Sequence, residues 1–158
     1  MRNQVSGPVA ARPLPGRPRL GLDPILVVDD DDVAAAVIAQ LLREARLANP
    51  VVRCADGQAA LDYLRSVGED EEGTAFPALV LLDESMPRLS GFDVLRVMKA
   101  DPVLAQIPVI MLTGTSGVDD VNGAYRLGAL SYLVKPVGFD ALGDVLRSVP
   151  LTWAFYRP

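Results

Sequence analysis

Four short apolar runs in this chain each deliver one polar side chain at their C-terminal end. Asp29 follows ILVV, Asp83 follows ALVLL, Thr113 ends VIMLT and Lys135 ends SYLVK. A single polar residue in such a place ordinarily opens a turn. These four, with Asp30 beside Asp29, are types that work together on a phosphoryl group. Carboxylates at 29, 30 and 83 in one pocket would repel one another, and a divalent cation with oxygen ligands, Mg²⁺ above all, resolves that repulsion. Asp83 is then placed to act as a nucleophile that forms an acyl phosphate. Lys135 supplies a compact positive charge for phosphate oxygens, Thr113 a hydroxyl donor, and Gly114 leaves room for the incoming group. In DDDD (29–32), Asp31 and Asp32 are explained without chemistry, because acids in the first turn of a helix favour its dipole.

What the chain lacks narrows the chemistry further. It has no histidine and one cysteine, Cys54. That removes a Ser-His-Asp triad, histidine-ligated zinc, an intramolecular disulfide and a phosphohistidine of its own. Cys54, after Val51-Val52, reads as a buried packing thiol. The net charge of −5 conceals four arginines and no acid within residues 1–20, so the remainder is more acidic than the total implies. An acidic body argues against nucleic-acid binding. No apolar run approaches the length of a membrane span, and no secretory h-region opens the chain, so a cytoplasmic location without membrane contact is expected.

The elements that must position these residues alternate regularly. Strands are expected at 25–29, 51–54, 78–83, 109–113 and 131–135. Helices are expected at 31–47, at 57–67, from Ser90 to about Ala100, after Ser116, and at 139–149. Ser90 with Asp93, and Ser116 with Asp119, have the spacing of capping boxes. Alternating strands and helices imply an α/β fold with a doubly wound parallel sheet and helices on both faces, which is why the strands are apolar at nearly every position. No phosphate-binding glycine motif of the nucleotide-binding α/β classes is present. Residues 1–22, proline-rich and basic, read as a disordered arm, and 151–158, containing Trp153, Phe155 and Tyr156, as a C-terminal aromatic extension.

In order and separation, ILVVDD, LVLLDESMPRLSG, VIMLTG and SYLVKP resemble the receiver domain of two-component response regulators, over about 23–150. The resemblance implies a flavodoxin-like, five-stranded sheet in the order 2-1-3-4-5. It implies that Asp83 is the phosphoacceptor and that Asp30, Asp83 and the backbone carbonyl of Ser85 are direct Mg²⁺ ligands, with Asp29 acting through water. Thr113 takes the position of the switch hydroxyl, Tyr132 that of the switch aromatic, and Lys135 that of the phosphate-binding lysine before a cis proline. A partner histidine kinase is implied as phosphodonor, and no enzyme activity beyond the chain's own phosphorylation and dephosphorylation. Glu84 departs from the commoner aliphatic residue, and Ser85 and Thr115 occupy positions that tune phosphoryl lifetime. The long loop at 68–77, with no output domain on the chain, narrows the resemblance to stand-alone regulators paired with bacteriophytochrome kinases. The aromatic extension has two open roles, covering the core or extending a homodimer interface; a homodimer is the expected assembly.

Two other readings compete. DDDDV (29–33) spells the D-x-D-x-[TV] motif of haloacid-dehalogenase phosphatases, but GDVLRS (143–148) has serine where their final acidic motif needs a second aspartate. A receiver-like binding module without phosphorylation would keep the fold and lose the chemistry.

Overall fold

The computed structural model describes residues 23–69, 76–114 and 117–149. The arm at 1–22, the extension at 151–158, Thr115, Ser116 and most of the acidic loop lie outside the described residues. Five strands, β1 (Ile25–Val28), β2 (Val51–Cys54), β3 (Leu79–Asp83), β4 (Val109–Thr113) and β5 (Ser131–Val134), form one parallel sheet in the order β2-β1-β3-β4-β5. Between and after them run α1 (Asp32–Glu44), α2 (Gly57–Glu69), α3 (Gly91–Ala100), α4 (Val118–Arg126) and α5 (Phe139–Ser148), with a short 3-10 turn at Leu104–Gln106. The order and the alternation are those expected.

The three inner strands are buried at every position, as a sheet covered on both faces requires, whereas the edge strands β2 and β5 are mixed. Alternate residues feed two cores. Ile25, Val27, Leu79, Leu81, Ile110, Leu112 and Leu133 pack against α1 and α5, through Ile38, Leu42, Leu142 and Leu146. Val28, Val80, Leu82, Val109 and Met111 pack against α2 and α3, through Leu61, Leu64, Leu95 and Met98, with Ala124 of α4. Cys54 is a buried member of this second core, as expected.

The helix ends show what local sequence does. The Asp31 side chain accepts from the Val33 and Ala34 N–H groups, which holds its carboxyl below the usual carboxylate range. Ser90 and Asp93 form the expected capping box. The box expected at Ser116 falls outside the described residues; α4 starts at Val118 with Gly117 as its N-cap. Helix α1 ends at Glu44, three residues short of expectation, because Arg46 turns left-handed at φ 60°. The Arg46 N–H reaches the Arg43 carbonyl at 2.9 Å and the Leu47 N–H reaches the Leu42 carbonyl at 3.3 Å, a Schellman closure with Leu47 folded onto Leu42.

Candidate functional site

Side-chain alternation along the strands decides which polar residues meet. Asp29, Asp83 and Lys135 continue the parity of Val27, Leu81 and Leu133, so they leave the sheet on the side of α1 and α5. Thr113 continues the parity of Met111 and shares the opposite side with Tyr132. One edge of the sheet therefore carries two groups: an acid–lysine cluster on one side and a hydroxyl–aromatic pair on the other. The cluster lies where β1 and β3 part, their following helices packing on opposite faces, which is the crevice where open parallel sheets bind ligands.

Lys135 binds the cluster together. Its Nζ is 2.6 Å from Asp29 Oδ2 and 3.2 Å from Asp83 Oδ1. The lysine follows β5, where its own N–H donates to the Thr113 carbonyl at 2.7 Å, and the Lys135–Pro136 bond is cis, as the resemblance implied. Burial works against its charge, but the two carboxylates outweigh burial and hold the ammonium above its ordinary value. Asp83 moves the other way. Burial first, and the neighbouring Asp29 second, push its carboxyl up to about 6 against the pull of Lys135.

The two acids are not equivalent. The Asp29 side chain is 0% exposed, its Oδ1 accepting the Asp31 N–H at 2.9 Å and its Oδ2 facing the ammonium. The Asp83 side chain keeps 6% exposure at the rim, and its Oδ1 lies 3.4 Å from the Ser85 N–H. Asp83 is thus the acid an incoming group can reach. Asp30, exposed in the loop after β1, completes the set: carboxylate oxygens of Asp29, Asp30 and Asp83 lie within 4.8 Å of one another. Three convergent carboxylates with one ammonium leave excess negative charge, and an all-oxygen donor set of this kind fits a hard divalent cation.

Thr113 is buried at the end of β4, one step beyond Leu112, the residue that pairs with Asp83 across the sheet. Tyr132 packs edge-on against Tyr125 of α4, ring centres 6.0 Å apart, so the aromatic beside Thr113 also touches a helix.

One contact escapes a reading of the sequence. Arg53, near the end of β2, donates through Nη2 to the Asp29 carbonyl at 3.0 Å and pairs through Nη1 with Asp32 Oδ1 at 2.6 Å. Its only sequence signal is a charge interrupting the apolar run VVRC.

Comparison with known proteins agrees with this geometry. The model of the response regulator receiver domain matches residues 25–147. The probable methanogenesis regulatory protein FilR2 of Methanothrix harundinacea is 34% identical over 129 residues, 82% of each chain. Among solved structures, the bacteriophytochrome response regulator AtBRR superposes with a TM-score of 0.76 at 35% identity, covering 87% of this chain and 99% of its own. The Mn²⁺-bound form of response regulator Rcp1 does so with a TM-score of 0.67 at 29% identity, covering 84% and 99%. The phosphatase reading finds no support in these matches. With its strand order, its acid–lysine cluster and a family match over most of its length, the chain belongs to the response regulator receiver domain family.

Proposed function

We propose that this chain is a phosphorylation-switched signalling module whose acceptor is Asp83. The observation that carries the proposal is the ion-paired cluster itself, in which Asp83 is the rim carboxylate and Lys135 the fixed cation beside it. With its pKa at about 6, Asp83 is mostly ionised at neutral pH and nucleophilic. An Asp83 carboxylate oxygen attacks the phosphorus of a phosphohistidine on a partner kinase. The new O–P bond forms as the P–N bond breaks, and the departing imidazole takes up a proton. Lys135, freed from one carboxylate, turns its ammonium to a phosphoryl oxygen. Mg²⁺, held by Asp30, Asp83 and the Ser85 carbonyl, with Asp29 acting through water, would neutralise charge on the transferring group.

The Thr113 hydroxyl, which starts on the other side of the sheet edge, moves toward the new phosphoryl group and donates to it, and Tyr132, on the same side as Thr113, follows it and re-sets the surface of α4 and β5. The likeness to the bacteriophytochrome response regulator AtBRR supports a phytochrome-type histidine kinase as donor, and a cytoplasmic setting is part of the proposal. Among the described residues no helix is long and apolar enough to cross a membrane. A homodimer remains our proposed assembly, to be read directly from light scattering.

Acetyl phosphate, which donates without a kinase, tests the acceptor. The wild type should label in Mg²⁺ and not in EDTA, and Asp83→Asn should not label in either. Labelling retained in Asp83→Asn would move the acceptor elsewhere, and a wild type that never labels would favour the non-phosphorylated binding module.

A further inference from the structure

We propose that Arg53 is a positioning residue for the cation site, holding the loop that presents Asp30. The inference rests on the reading above, in which Asp30 ligates a divalent cation. Asp30 is the exposed member of the carboxylate set and the one whose neighbours on both sides are tied down. The guanidinium of Arg53 takes the carbonyl of Asp29 at 3.0 Å with one nitrogen and the carboxylate of Asp32 at 2.6 Å with the other. Those two contacts straddle Asp30 and span the turn from the end of β1 to the first residue of α1.

The same turn is braced from within by the Asp31 N–H on Asp29 Oδ1 and by Asp31 capping α1. These inner bonds set the shape of the loop. Arg53 ties that loop to β2, the neighbouring strand, where Cys54 already accepts the Asp29 N–H at 3.2 Å. The planar fork sets two nitrogens apart, one for the carbonyl and one for the carboxylate, whereas a lysine at the same place, shorter and with a single nitrogen, would have to draw both acceptors to one point. Asp32 is largely exposed, so this pair adds little to stability, and its consequence is geometric.

Geometry and charge predict opposite signs, which makes the proposal decidable. A positive charge near a cation site repels the cation, so an Arg53 that acted by charge alone would weaken metal binding. An Arg53 that acts by placing Asp30 strengthens it. The experiment measures Mn²⁺ affinity from the loss of the free aqua-ion electron paramagnetic resonance signal, for wild type, Arg53→Gln, Arg53→Lys and Asp30→Asn. Circular dichroism establishes that each variant is folded. Both Arg53 variants should bind Mn²⁺ roughly tenfold more weakly than wild type, the size of effect seen when a supporting partner of a ligand is removed. Arg53→Lys keeps the charge and much of the stem, so it answers the question should Arg53→Gln fail to fold. Unchanged or tighter binding in Arg53→Gln overturns the proposal, as does wild-type affinity in Arg53→Lys. A wild type that binds no better than Asp30→Asn overturns the cation site itself, a result distinct from failure of the Arg53 inference.

Discussion

The backbone carbonyl of Asp83 fills the space that a side chain on residue 91 would need. A Cβ built on Gly91 would stand 2.2 Å from that oxygen and 2.9 Å from the Glu84 Cα. The Gly91 N–H closes the loop on the Glu84 carbonyl at 2.9 Å, so the first residue of α3 is pressed against the backbone of the proposed acceptor. Gly91→Ala must displace either α3 or the end of β3. It should cost about 2–3 kcal/mol of stability, the upper range for overpacking, and sharply slow labelling by acetyl phosphate. Chemical denaturation and labelling on the same preparation check both halves; a Gly91→Ala variant that unfolds normally and labels at the wild-type rate would show that the contact is not needed.

Asp83 makes stability fall as pH rises when metal is withheld. Its folded pKa of about 6 lies above the value near 3.9 of an unfolded aspartate, so the folded state prefers the neutral acid. That preference stabilises fully below about pH 4 and is lost as pH climbs through 6. Asp83→Asn removes the titration. In EDTA the variant should therefore gain on the wild type between pH 4 and 7, by about 2 kcal/mol, with Mg²⁺ narrowing the gap by favouring the charged acid. Urea titrations across that range decide it, and parallel curves for the two proteins would count against the raised pKa.

Much of this site was readable because strands have a period of two. Once the apolar runs are placed, parity alone sends Asp29, Asp83 and Lys135 to one side and Thr113 with Tyr132 to the other. Contacts that parity does not govern were less readable. Arg53 sits on a four-residue edge strand, where a charged side chain ordinarily means a solvated face, and its two acceptors are more than twenty residues away in sequence. The end of α1 was missed for another reason. The usual stop signal is glycine, as at Gly128 with φ 96°, which closes α4 through the same pair of bonds that Arg46 makes without it.

That contrast is itself testable. Arg46 holds a left-handed conformation that costs an L-residue about 1–2 kcal/mol and that glycine adopts freely. Arg46→Gly should raise stability by about 1 kcal/mol, part of the gain being offset by the flexibility glycine adds to the unfolded chain. It lies far along α1 from the acidic loop, so labelling at Asp83 should not change. A thermal melt that falls instead would mean Arg46 makes compensating contacts.

Asp30 should reverse the order of stability between two conditions. In EDTA, Asp30→Asn removes one of three crowded carboxylates and should match or exceed the wild type. In Mg²⁺ at about a hundred times its dissociation constant, the wild type should gain about 2.7 kcal/mol and the variant little. Melts of both proteins with and without Mg²⁺ should cross; equal gains from Mg²⁺ would place the cation away from Asp30.

Lys135 should prove more tightly coupled to Asp29 than to Asp83. It is closer to Asp29, 2.6 Å against 3.2 Å, and Asp29 has no exposure through which water could replace the ammonium. Lys135→Met leaves two buried carboxylates facing each other and should cost about 3 kcal/mol at pH 7, as broken buried pairs do. Part of that cost is escapable, because Asp83 already titrates near 6 and can take a proton. The penalty of Lys135→Met should therefore shrink on acidification to pH 5. At pH 7 it should shrink further in an Asp29→Asn background than in an Asp83→Asn background. Double-mutant cycles measured by denaturation separate the two couplings, and a larger coupling to Asp83 would mean that the lysine is held for the acceptor rather than by the buried acid.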